Sequence, residues 1–180
     1  HDSGLQGAWF SLLRPVAYTA LWSREREVNM PYRICKTIEI ESGHMLSKHR
    51  ENCKYPHGHS RQVELILESD ELDTNDMVCD FAVLKIALKG FLDSLDHAMC
   101  INTKDPMYKA FKETYGDRVI GFDDTDPTTE VIAKMIFDKV KDSLDRYGNK
   151  KGQPYRLSKG VRLIRARVWE TSTSWAEYGK

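Results

Sequence analysis

Cys53-Lys54-Tyr55-Pro56-His57-Gly58-His59 runs directly into Ser60-Arg61-Gln62-Val63-Glu64-Leu65-Ile66-Leu67-Glu68-Ser69, and the rest of the chain can be read outward from this stretch. Its second half alternates: Val63, Leu65 and Leu67 share one parity, while Gln62, Glu64 and Glu68 take the other. A period of two marks a strand with one face buried and one in water. His57 and His59 carry the parity of the apolar set, and Gly58 leaves the backbone between them uncrowded. Residues two apart in an extended segment point the same way. Both imidazoles therefore face the protected side and can reach one metal ion.

Upstream, Ile34, Ile38 and Ile40 fall on one parity and Cys35, Thr37, Glu39 and Glu41 on the other, with Lys36 the exception. This predicts a second half-buried strand, and His44 near its end shares the apolar parity. Histidines from two strands thus converge on one side. A tripod of imidazoles is the arrangement in which zinc keeps one position open for substrate or water. His44, His57 and His59 are the expected metal ligands. Cys53 admits two readings: a fourth ligand closing a structural site, or an uncoordinated thiol beside a catalytic ion.

A length of 180 residues suits one domain with a real core. Lys+Arg and Asp+Glu balance at 27 each, so no charge excess argues for nucleic acid or a membrane surface. The four cysteines form no CxxC and no disulfide-dense pattern, which favours a reducing, cytoplasmic setting. No uncharged apolar run approaches the roughly 18 residues of a membrane span. Residues 1–29 stand apart, because Arg14-Pro15 interrupts the apolar run from Ala8 to Trp22 and strand patterning begins only after Met30-Pro31. The expectation is an extension over residues 1–29, vector-derived or translated from upstream, and a single domain over residues 30–180. An amphipathic segment packing on a neighbouring subunit is the alternative.

Asp80 reads as a helix N-cap before Phe81, Leu84, Leu88, Phe91, Leu92 and Leu95 at helical spacing. A short helix is expected after Asp105-Pro106, with Gly116 as its stop, then a short strand over residues 118–122. Asp126-Pro127 opens a longer helix carrying Ile132, Met135, Ile136, Val140 and Leu144, closed at Tyr147-Gly148. Val161 to Thr171 is the last long strand, and Glu170 continues the parity of Ile164, Ala166 and Val168. A carboxylate is thereby aimed toward the apolar side. A final short strand follows within residues 172–178. Strands, then helices, then strands predict an α+β layer rather than a parallel βαβ sheet.

Taken in order, His44, Cys53-xxx-His57-Gly58-His59, Leu95-Asp96-His97, Pro127-Thr128-Thr129-Glu130 and Glu170-Thr171 resemble the 6-pyruvoyl-tetrahydropterin synthase family over about residues 32 to 178. The resemblance implies a tunnelling fold (T-fold): a ββααββ-type unit, an antiparallel sheet with helices packed on one face, here with an inserted helix and short strand. It also implies homo-oligomers, hexamers of two trimers with active sites between subunits. Three residues between Cys53 and His57 resemble the 6-carboxytetrahydropterin synthase branch of the queuosine (deazapurine) precursor route. That branch converts 7,8-dihydroneopterin triphosphate to carboxytetrahydropterin, acetaldehyde and triphosphate.

By the same resemblance, zinc is held by His44, His57 and His59 and Cys53 acts as general base. His97, oriented by Asp96, transfers a proton. Glu170 anchors the pterin's amino and ring N–H groups and shares in the proton relay, and Thr128 and Thr129 contribute contacts to the ring. The pyruvoyl-forming or side-chain-cleaving relatives and a non-catalytic zinc-binding module are the alternatives. Trp169 stands where the family commonly has a lysine, and the segment from Thr103 to Thr125 is longer than in compact bacterial members.

Overall fold

In the computed structural model, residues 30–180 are described, so the expectation for residues 1–29 lies outside the described residues. The apolar parity of residues 32–69 becomes one long antiparallel pair, β1 (Tyr32–His44) and β2 (His57–Ser69). Ile38 faces Val63 across the pair, and His44 faces His57 at its end. The next elements are α1 (Phe81–Leu95), β3 (Ala98–Asn102), α2 (Tyr108–Tyr115) and β4 (Val119–Phe122). The chain closes with α3 (Thr129–Asn149), β5 (Arg162–Thr171) and β6 (Ser174–Gly179). The sheet order is β4-β3-β1-β2-β5-β6.

The run β1–β2–β5–β6 is antiparallel throughout. The two short strands make the sheet mixed, since β3 lies parallel to the end of β1 and β4 parallel to β3. No strand is expected from the sequence at residues 98–102, and the reason is burial. Four of the five β3 residues are buried. A parallel strand covered on both faces loses the alternation that marks a half-exposed one.

The inward residues of the sheet, Ile40, Val63, Leu65, Leu67, Ala166 and Val168, pack against one face's worth of helix: Val83, Leu84 and Leu88 from α1, and Ile132, Ile136 and Val140 from α3. The α+β class is thus the observed one, but only α1 and α3 share a face: α2 packs Tyr108 and Phe111 against Met45, Ile101 and Val119 in a separate cluster, so the expectation of helices on one face alone is corrected. Asp80 caps α1, its carboxylate accepting from the Ala82 N–H at 2.7 Å. Two helix starts lie further along the chain than the sequence suggests. Asp105 takes the Met107 N–H onto its own carboxylate in a turn, so α2 begins only at Tyr108. Likewise Asp126 bonds elsewhere and Thr128 is the cap of α3. Gly116 does end α2, at a φ of 57° that glycine adopts without strain.

Leu65 is fully buried at the centre of β2, the strand between β1 and β5. Leu65→Ala is expected to lower unfolding free energy by about 2–5 kcal/mol in urea titrations, through lost transfer energy and the cavity left behind. A change under about 0.5 kcal/mol would mean that the strand is not where the core is tightest.

Candidate metal centre

The open end of the β1–β2 pair carries the histidines. His44 ends β1 and is almost fully buried, and its Nδ1 lies 2.8 Å from the carbonyl oxygen of Pro127, ahead of α3. His57 opens β2, its Nδ1 2.7 Å from the carbonyl oxygen of Tyr55. A carbonyl only accepts, so each Nδ1 donates, and in the neutral ring each Nε2 is left with the lone pair. This backing by a second group is how metal-ligating imidazoles are ordinarily oriented.

The three rings converge, with centroids 4.5, 5.2 and 5.1 Å apart, and one ligand atom from each lies within 4.8 Å of the others. The Nε2 atoms of His44 and His59 are buried without a hydrogen-bond partner. A buried polar atom left unpaired costs about 1–3 kcal/mol, and a cation on these lone pairs would remove that cost. Burial first, then the Arg61 charge, pulls the His59 pKa below its ordinary value and favours the neutral imidazole that binds metal. Three nitrogen donors and a remaining open side fit zinc.

Glu170, near the end of β5, points into the same cluster. Its Oε1 is 3.3 Å from Nε2 of both His44 and His59, contacts poorly aligned for hydrogen bonding. Contact with His44, a hydrogen bond when its Nε2 is protonated, and then the Arg61 charge hold the Glu170 carboxyl down at about 2, against the opposing effect of burial. The direction favours the carboxylate form.

Arg61 was not among the residues singled out from the sequence. It takes the inward parity two residues past His59 and is only 2% exposed. Its Nε donates to Ser42 Oγ at 3.2 Å and its Nη1 to Thr129 Oγ1 at 3.3 Å. A cation among inward-facing positions of a strand was the available signal, because burying a charge demands a partner.

The loop after α1 holds Asp96 and His97. The Asp96 carboxylate accepts the Glu41 N–H at 3.0 Å and lies 2.9 Å from His97 Nδ1. The Glu41 N–H and then His97 pull its pKa below the usual carboxylate range. His97 has a φ of 58° and an exposed ring. It is not brought into the histidine cluster, although His59 and His97 line one cavity of about 650 Å³ with Gly58 and Met99. A volume of that size suits a small-molecule site.

Cys53 sits half-buried in the 3-10 turn Asn52–Lys54, outside the three-histidine group. Its turn is tied back by Leu46 N–H donating to the Cys53 carbonyl. The same loop is pinned by Lys48 N–H on Asp126, whose other oxygen accepts from Asn102. Thr128 caps α3 through its side chain, and Thr129 holds Arg61. Cys79 and Cys100 are buried thiols whose pKa values burial pushes up to about 11.

The chain's similarities agree with one another. A family model described as 6-pyruvoyl tetrahydropterin synthase matches residues 33–180. A protein named 6-carboxy-5,6,7,8-tetrahydropterin synthase from Aquifex aeolicus is 35% identical over 167 residues, covering 83% of this chain and 98% of that one. A protein of the same name from Bacillus subtilis is 29% identical, covering 82% of this chain and 84% of its own. Among solved structures, an uncharacterized protein from Wolinella succinogenes superimposes with a TM-score of 0.64 at 24% identity, covering 84% of this chain and 99% of that one. The 6-pyruvoyl tetrahydropterin synthase of Plasmodium vivax reaches 0.60 at 17% identity, covering 84% of this chain and 98% of its own. These two likenesses concern the fold.

Proposed function

The chain belongs to the 6-pyruvoyl tetrahydropterin synthase family, and on that premise we propose that it is a zinc-dependent 6-carboxy-5,6,7,8-tetrahydropterin synthase, a lyase acting on 7,8-dihydroneopterin triphosphate. The observation that carries the metal is the pair of buried, unpartnered Nε2 atoms within a converging set of imidazoles. The carboxy branch is supported by the names of the relatives from Aquifex aeolicus and Bacillus subtilis and by the short spacing from Cys53 to His57.

His44, His57 and His59 hold the ion, which when bound polarises the hydroxyls of the substrate's side chain as a Lewis acid. Cys53 takes a proton from that side chain as general base. Asp96 orients His97, which transfers a proton from its place on the cavity wall. Glu170, already ionised, accepts the pterin's amino and ring N–H groups in charge-assisted hydrogen bonds, a device of specificity. Thr128 and Thr129 lie at the same end of α3 and supply contacts to the ring.

The active assembly in this reading is a homo-oligomer, a hexamer of two trimers. Among the described residues, β1 pairs with β3 only over Ser42–His44, and the rest of that edge carries no strand. An open edge of this length favours pairing with another copy. The free cysteines fit a cytoplasmic setting.

Incubating zinc-loaded protein with 7,8-dihydroneopterin triphosphate and separating the products is the test. Acetaldehyde and a carboxypterin are expected in equal amounts. A pyruvoyl pterin would assign the chain to the other branch, and unchanged substrate would leave a metal-binding module without catalysis.

A further inference from the structure

Arg61 has no part in the function proposed above, yet it is a fully buried cation directly beneath the site. Its guanidinium is fastened at two points, Nε on Ser42 and Nη1 on Thr129. The remaining nitrogen, Nη2, is buried without a hydrogen-bond partner and lies 3.8 Å from Glu170 Oε1. That oxygen is also the atom 3.3 Å from Nε2 of His44 and of His59. Zinc–nitrogen bonds of about 2.0–2.1 Å at tetrahedral angles set neighbouring donor atoms roughly 3.3–3.4 Å apart. Glu170 Oε1 therefore stands at donor spacing from two of the three imidazoles, one short shift from joining the three-histidine group of which it is not yet part. An ion on the three imidazoles attracts it from one side and Arg61 from the other.

We propose that Arg61 is a positioning residue: as the buried counter-ion of Glu170, it keeps that carboxylate from closing the three-histidine site as a fourth ligand. The reasoning is one of charge. A desolvated guanidinium that loses its carboxylate is left as an uncompensated buried charge, a strongly unfavourable state. Glu170 is thereby retained for the substrate and the metal keeps its open position. The inference rests on the metal reading given above.

Cobalt(II), which reports its ligand set in visible absorption, is the probe. Wild-type protein and Arg61→Met are each titrated with cobalt(II), alone and in a Glu170→Gln background. Arg61→Met is expected to change the shape of the visible band and to tighten cobalt binding at least about tenfold. With Glu170→Gln in place, the band should not change. Arg61→Lys, which keeps the charge, should retain the wild-type band. Should Arg61→Met melt below the working temperature, Thr129→Ala removes one anchor of the guanidinium without emptying its pocket, and a partial change of band is expected. A band identical to wild type in Arg61→Met, or a change that persists with Glu170→Gln, overturns the inference while the metal reading stands. Wild-type protein that takes up no cobalt at all removes the metal reading itself, and this inference with it.

Discussion

Replacing His57 by alanine is expected to weaken zinc binding by at least about a hundredfold and to bring turnover of the pterin triphosphate below detection. The magnitude follows from the site. Loss of an outer-shell partner alone typically costs 10–100-fold in metal affinity, and His57 supplies one of the three nitrogen donors found among the described residues. His57 is also the informative choice among the three. His44 is 1% exposed and would leave a cavity, whereas His57 is half-buried and, among the described residues, its ring hydrogen-bonds to the nearby Tyr55 carbonyl. The metal-free variant should melt at the wild-type temperature. Added zinc stabilises the wild type by about 2.7 kcal/mol when it reaches a hundred times Kd, and this increment should vanish in the variant. Elemental analysis after dialysis and thermal melts with and without zinc measure both effects. Full zinc content in the variant would show that the ion, if bound, sits elsewhere.

The second large effect is expected at Cys53. Cys53→Ala should lower turnover by about 10²–10⁴-fold, the usual contribution of a general base, with zinc content unchanged. The separation of the two readouts is what matters. Cys53 lies in a 3-10 turn outside the three-histidine group, so its removal takes no donor from the ion. Its backbone carbonyl, which accepts from Leu46, survives the substitution. Zinc lost together with activity would identify the sulfur as a ligand and the centre as a closed structural site.

Much of this is legible in the sequence. The inward parity of Val63, Leu65 and Leu67 became a buried strand face, and the parity of His44, His57 and His59 became a converging cluster. Asp80 and Gly116 announced a helix start and a helix stop through local chemistry alone. Where side chains were recruited by distant partners, local reading failed. Asp126 looked like the opening of a helix, but its carboxylate is taken by Lys48 and Asn102, which leaves the cap to Thr128. The strand at Ala98–Asn102 escaped notice because burial on both faces erases periodicity.

By itself, the sequence determined which side chains face inward and which motifs stand in the family's order, because strand parity and capping are properties of neighbouring residues. Tertiary structure alone decided how those side chains are held. The Pro127 carbonyl reaches His44, and Thr129 reaches Arg61, across long stretches of chain. It is likewise folding that brings Glu170 from the far end of the chain to His44 and His59. Contacts of that kind depend on which elements the hydrophobic core draws together, and no periodicity along the chain records them.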